Sequence, residues 1–527
     1  MAAIDTLDNN REDVVGGAGF TRTFSRKFSH ARTPLVFEST KRQTNFFGNY
    51  AASNSMLPGL MKTLKNVDTS GLDDSVIVEN VLSEDLSKNL EGTKQFLKII
   101  LSEALIFPLD APSELYMQRL DRFVDAKLLQ AFVRFIEASN DSLKLYSLFI
   151  LTNILPTNND YATKIIVDAD AVQIVLNLLK SPPRIGLKEY ALHLLANISL
   201  SSIESRDHIL ERIDRFPMLE LLKEGHAVCG ALSWNLYLLC RYPIPASEKL
   251  CSIILPLHGL LKRFYKEKKK EHKKIVVGVC HTLAILSYGE LTCKMVEVGL
   301  LPILAGLVMD TCLDPISLQL TLRTIGNIII DDKNQIKAVL DHKLLQSLYI
   351  VLCLHQKDEH VLHEACWVVL DIISSDNTKI KDIFENKILG YLVDLAALKS
   401  NLWPAVYALS VAAVNGSDRE IQFLVEADYI KLICKLLLPS PVDLKMVMLE
   451  GLYNVLNFGD YVLEGNNKIV SQCTLNGCWK KLQALQQSGP DIHGIAALAT
   501  EMLERYFVPH LDQLDKDGAE VREGDDG

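Results

Sequence analysis

SLQLTLRTIGNIIIDDKNQIKAVLDHKLLQSLYIVLCLHQKDEHVLHEACWVVLDII, residues 317–373, reads as one complete helical unit flanked by the inner helices of two neighbours. Leu362, Cys366, Val369 and Ile373 recur at i, i+4, i+7 and i+11, an apolar stripe that has to face a core. Glu364, Trp367 and Asp371 follow one another at i, i+3 and i+7 on an adjacent face. One unit earlier, Arg323 and Asn327 form an i, i+4 pair. A polar side chain one turn from an aromatic ring or a cation, repeated from unit to unit, suits a surface that grips an extended chain.

Outward from this stretch the same pattern continues. Apolar helix ends such as IVLNLLKSP (174–182), MLELLKEG (218–225), LHGLLKRF (257–264), LLPILAGLV (300–308) and IKLICKLLLPS (430–440) are punctuated by Gly299, Pro302 and Pro439. After each comes a helix carrying a couple: Phe149/Asn153, His193/Asn197, Trp234/Leu238, His281/Ile285, Arg323/Asn327, Trp367/Asp371 and Tyr407/Val411. Their period of roughly 43 residues falls in the range of armadillo and HEAT arrays. One such unit cannot bury its own apolar face; stacking does, and leaves a groove lined by the same helix of every repeat. The predicted fold is all-α, a right-handed armadillo-repeat superhelix (an α-solenoid), with about ten repeats over residues 70–508.

The flanks differ. Residues 1–69 hold Arg22, Arg26, Lys27, Arg32, Lys41 and Arg42 with no sustained helical stripe, which predicts a mobile basic arm on a body of net charge −10. Residues 509–527 read as a disordered acidic tail. The negative balance argues against general nucleic-acid binding and suits basic partners. Hydrophobic residues at 48% promise a large core, and aromatics at only 7% favour packed helices over a β-sandwich. The eleven cysteines all lie from Cys229 onward, with no C-x-x-C pair, and read as reduced core residues of a cytosolic or nuclear protein. No apolar leader and no run of about 20 apolar residues is seen, so a soluble, intracellular protein is expected.

Chemistry is sparse. No P-loop, G-x-S-x-G, H-E-x-x-H or dinucleotide fingerprint occurs, so no enzyme and no cofactor are expected. His355, His360 and His363 lack a nearby Cys and read as a solvated inter-repeat segment rather than a metal site. His193 and His281 occupy aromatic ladder positions, with a pH-sensitive groove as the alternative to plain aromatic substitution. The run KRFYKEKKKEHKK (262–274) reads as a solvated helix edge between repeats, with a nuclear-localisation or nucleic-acid patch as the other reading.

SRDHIL (205–210), SWNLYLLCR (233–241), LRTIGNIIIDD (322–332), HEACWVVLDI (363–372), LKMVMLEGLYNVLNFGD (444–460) and LQALQQSG…MLERYF (482–507), in this order and spacing, resemble the importin-α (karyopherin-α) family. The resemblance implies an adaptor that binds basic nuclear localisation signals in an acidic concave groove and links cargo to importin-β, in cytoplasm and nucleus. In that family a Trp and an Asn four residues later line most inner helices. The Asn amide clamps a peptide backbone, and Trp rings form slots for Lys or Arg stems.

Carried onto this chain, the resemblance implies a major pocket of Phe149, Asn153, His193, Asn197, Trp234 and Arg241. It implies a minor pocket of Arg323, Asn327, Asp331, Asp332, Glu364, Trp367, Asp371 and Tyr407. The major pocket is thinned: Leu238 replaces an Asn, and Ser201 stands where the family has an acid. The minor pocket is better kept, with Glu364 as its rim acid, although Asp371 replaces an Asn and Pro404 a Glu. The arm resembles a sparse importin-β-binding segment in which Lys41 and Arg42 would occupy the groove as an internal competitor, and residues 440–508 resemble the part an export receptor binds. An armadillo scaffold with a non-nuclear ligand is the other reading; the arm and the pockets distinguish the two.

Overall fold

The computed structural model describes residues 73–104, 125–155, 160–182, 186–267, 269–330, 333–399, 401–462, 468–487 and 494–509. The arm with Lys41 and Arg42, the pair Asp331 and Asp332, and the tail after Pro509 lie outside them. The described residues form helices and no strand. They divide into two compact units, one ending at Ile303 and one beginning at Leu304.

In the first unit the inner helices are α1 (Asp141–Ile154), α2 (Leu187–Ser201), α3 (His226–Leu239) and α4 (Lys270–Leu286). Each packs on the next, and helix Leu86–Ala104 packs on α1. In the second unit α5 (Pro315–Ile329), α6 (Glu359–Ser375), α7 (Trp403–Asn415) and α8 (Val442–Val462) stack in the same way. Every residue of α3 from Cys229 to Leu239 is buried. A helix apolar nearly all round needs cover on every side, and only its own repeat plus both neighbours supplies it.

Two shorter helices precede most inner helices, giving the three-helix armadillo unit. Thus Lys333–Leu340 and Leu344–Leu354 lead into α6, and Ile380–Glu385 and Ile388–Leu398 lead into α7. The corner between the two short helices is made by one left-handed residue: Asp170, Gly299, Lys343, Lys387, Asp428 or Gly477, with φ between 59° and 82°. Left-handed backbone lets the second helix set off sharply from the first. It costs an L-residue about 1–2 kcal/mol, partly offset because glycine has more unfolded freedom to lose. Lys387→Gly should therefore stabilise the second unit by a few tenths to about 1 kcal/mol, and Gly299→Ala should cost about 1 kcal/mol although nothing lies within 4 Å of the added Cβ. Opposite signs in urea titrations check this; equal signs would show that the corner is not strained.

Two repeats depart from the regular form. Near residue 213 the corner is a 3-10 turn, Ile213–Arg215, and the segment MLELLKEG contributes only the single turn Met218–Leu221. One period later a single helix, Ser247–Phe264, runs through Pro256 where the corner would fall. The basic run 262–274 is only partly a link. Its ends belong to helices: Phe264 and His272 are buried with rings 4.8 Å apart, while Lys266, Lys269 and Lys270 are exposed. Among the described residues no helix is long and apolar enough to cross a membrane, and no three His, Cys, Asp or Glu side chains gather as metal ligands.

Candidate functional site

In the first unit the predicted couples all lie on inner helices, and their amides are engaged with the chain itself. The Asn153 amide donates to its own helix at Phe149 O, 2.7 Å. Asn197 reaches across to the preceding inner helix and donates to Thr152 O at 2.7 Å. Asn235, absent from the predicted set, does the same to Leu192 O at 2.8 Å. Asn197 thereby caps a terminal carbonyl of α1, which has no intrahelical donor, whereas Leu192 O lies mid-helix and takes the Asn235 amide as an additional donor; both amides join successive inner helices. Arg241 Nη2 donates to Ser199 O at 2.9 Å and Leu200 O at 3.0 Å, and buried Arg206 donates to Arg241 O and Pro243 O. Burial, and then the charge of Arg206, hold the Arg241 guanidinium below its usual range. The structure thus places Arg241 as a staple between repeats.

The aromatic ladder of this unit is closed by two tyrosines that the couples did not include. Tyr190 sits between Phe149, with centroids 5.4 Å apart, and His193, at 6.3 Å. Tyr237 stacks on Trp234 at 5.3 Å and 18°, and meets His281 edge-on at 5.9 Å. His281 Nδ1 lies 3.0 Å from Val277 O; a carbonyl only accepts, so this nitrogen carries the proton.

In the second unit the predicted residues come together differently. Arg323 Nε donates to Glu364 Oε1 at 2.9 Å, and Nη2 donates to the same oxygen. Both residues are buried, so Glu364 is not the solvent-facing rim acid the sequence suggested. Its second oxygen, Oε2, is buried and has no hydrogen-bond partner. Asn327 and Asp371 are buried, and Trp367 is half-buried. The Trp367 and Tyr407 rings face each other at 6.5 Å and 26° with no tyrosine wedged between them. Burial, with the charge of Asp443, pushes the Tyr407 phenol well up.

One period after Tyr407/Val411 stands a further couple, Glu450/Asn454. Asn454 donates to Ala413 O at 2.8 Å and Val414 O at 3.2 Å, repeating what Asn197 does in the first unit. Burial raises the Glu450 carboxyl. The signal was present in LEGLYN, but a search for aromatic or cationic ladder residues passes over a glutamate.

The geometry can be set beside known proteins. No protein-family model matches the chain. It is similar to importin subunit alpha-1b of Oryza sativa subsp. japonica, 28% identical over 462 residues, which is 85% of this chain and 81% of that protein. It is also similar to importin subunit alpha-4 of Arabidopsis thaliana, 27% identical over 84% of this chain and 80% of that protein. A crystal structure of an engineered protein aligns with 82% of this chain at a TM-score of 0.63 and 21% identity, a likeness of fold. The similarity to relatives of one name covers more than four-fifths of the chain at 27–28% identity: the chain is similar to the importin-α subunits.

Proposed function

We propose that this chain is a nuclear import adaptor that takes a basic, extended signal of a cargo protein chiefly on the inner helices of its second unit and links it to importin-β through residues 1–69. One observation carries the reading: Glu364 is held by Arg323 through a single oxygen, while its other oxygen lacks a donor. A carboxylate oriented in this way costs little to organise when an ammonium or guanidinium arrives. Trp367 and Tyr407 supply apolar faces for the stem of the same side chain. The repeat domain over 70–508, passage between cytoplasm and nucleus, an export receptor at the C-terminal repeats and an arm that competes for the groove through Lys41 and Arg42 belong to this reading.

A pull-down tests it. The full chain and a chain lacking residues 1–69 are presented to importin-β and to a labelled Lys-rich peptide. The full chain should capture both; the shortened one should lose importin-β and hold the peptide more tightly. Peptide bound with no importin-β in either case would favour the scaffold reading, and no peptide bound by either chain would sink both.

A further inference from the structure

We propose that Glu189 is the cation-receiving residue of the first unit, and that it takes the ammonium of a lysine in an extended peptide jointly with His193. This deepens the peptide-binding reading and rests on it.

Glu189 and His193 lie one turn apart on α2, on the stripe that continues through Asn197 to Ser201. Their side chains are 9% and 7% exposed, and Glu189 Oε1 stands 3.9 Å from His193 Nε2, too far for a hydrogen bond. Nε2 is buried with no hydrogen-bond partner. Neighbouring cations do not complete the site: the Lys188 ammonium bonds Glu224 at 2.8 Å, and the Arg241 guanidinium is bound to the carbonyls of Ser199 and Leu200. Buried polar groups are normally paired, so an imidazole nitrogen left without a partner beside the Glu189 carboxylate calls for an added donor.

An ammonium suits this gap. It brings three donors and no acceptor, the carboxylate accepts, and a neutral imidazole accepts at Nε2 when Nδ1 carries the proton. A nitrogen about 2.9 Å from each atom fits between acceptors 3.9 Å apart. The resemblance placed the acid of this repeat at the position of Ser201, twelve residues on, or about 18 Å along the helix. The anionic subsite has therefore moved to the opposite end of the inner helix. Tyr190 stands between Phe149 and His193, where the resemblance implies a lysine-stem slot.

The test uses the full chain and a fluorescein-labelled Lys-rich peptide in anisotropy titrations, with melting curves to verify folding. Glu189→Gln, nearly isosteric, should weaken binding about fivefold, and Ser201→Ala should leave it unchanged. His193→Phe, which removes Nε2 and keeps an aromatic ring in the ladder, should weaken it two- to threefold and carries the test should Glu189→Gln fold poorly. Unchanged affinity in both Glu189→Gln and His193→Phe, with loss in Glu364→Gln, overturns this proposal and leaves the proposed function standing. No loss in any of the three overturns both.

Discussion

Glu364→Ala is expected to cost about 3–5 kcal/mol in equilibrium unfolding, the range for breaking a buried ion pair by removing one partner. The reason is what remains. Arg323 is 5% exposed and would keep its charge inside the stack of α5 and α6 without the carboxylate that compensates it. Replacing both residues by apolar ones of similar volume, Arg323→Met with Glu364→Leu, removes both desolvation costs and should recover stability to within about 1 kcal/mol of the parent. The coupling energy of this cycle should then be large, because each single change leaves the other charge buried and uncompensated. Binding should not recover with it. The double variant keeps the fold but has no oxygen to offer, so the Lys-rich peptide should bind at least tenfold more weakly. A double variant that is stable and binds like the parent would show that the pair is purely structural and that cargo recognition lies elsewhere.

This pair also shows where sequence reading reaches its limit. The period was legible because each repeat has the same burial problem, and Leu362, Cys366, Val369 and Ile373 display its solution in linear form. Gly299 marked one corner. Asp170, Lys343, Lys387 and Asp428 adopt the same left-handed backbone, yet nothing in their chemistry announces it, because the neighbouring helices impose it. The inner-helix couples were visible; their partners were not. Arg323 and Glu364 are 41 residues apart in the chain, and only stacking α6 on α5 brings them together. Asn235, one residue past Trp234, and Tyr190 and Tyr237, three residues off the ladder positions, share faces of the helix adjoining those positions. Whether such a residue looks into the groove or closes it depends on the rotation of each repeat, which a single sequence does not display. A resemblance carried over residue by residue put Glu364 at an open rim, whereas the structure buries it against Arg323; it could not show that the Arg241 guanidinium donates to the carbonyls of Ser199 and Leu200.

The two tryptophans of the ladder should answer differently to substitution. Trp367 faces Tyr407 at 6.5 Å and 26°. An aliphatic stem in contact with two rings needs them about 7–8 Å apart, two carbon contacts of 3.5–4.0 Å each, so roughly 1 Å of ring movement opens the slot. Trp234 has one face already covered by Tyr237, 5.3 Å away and nearly parallel. Admitting a stem there would first have to pull apart an aromatic pair worth about 0.5–1.5 kcal/mol beyond its buried area. Trp367→Ala should therefore lose the stem contact and a cation–π interaction of about 0.5–2 kcal/mol, a drop in peptide affinity of about tenfold. Trp234→Phe, chosen because Trp234 is 8% exposed and truncation to Ala would cost stability, should change affinity by less than about twofold. Fluorescence titrations with one Lys-rich peptide, run well below both melting transitions, give the comparison directly. Should the Trp234 variant prove the weaker binder, the slot beside Trp234 takes a lysine stem, and Tyr237 is a movable cover over that slot rather than a fixed part of the wall.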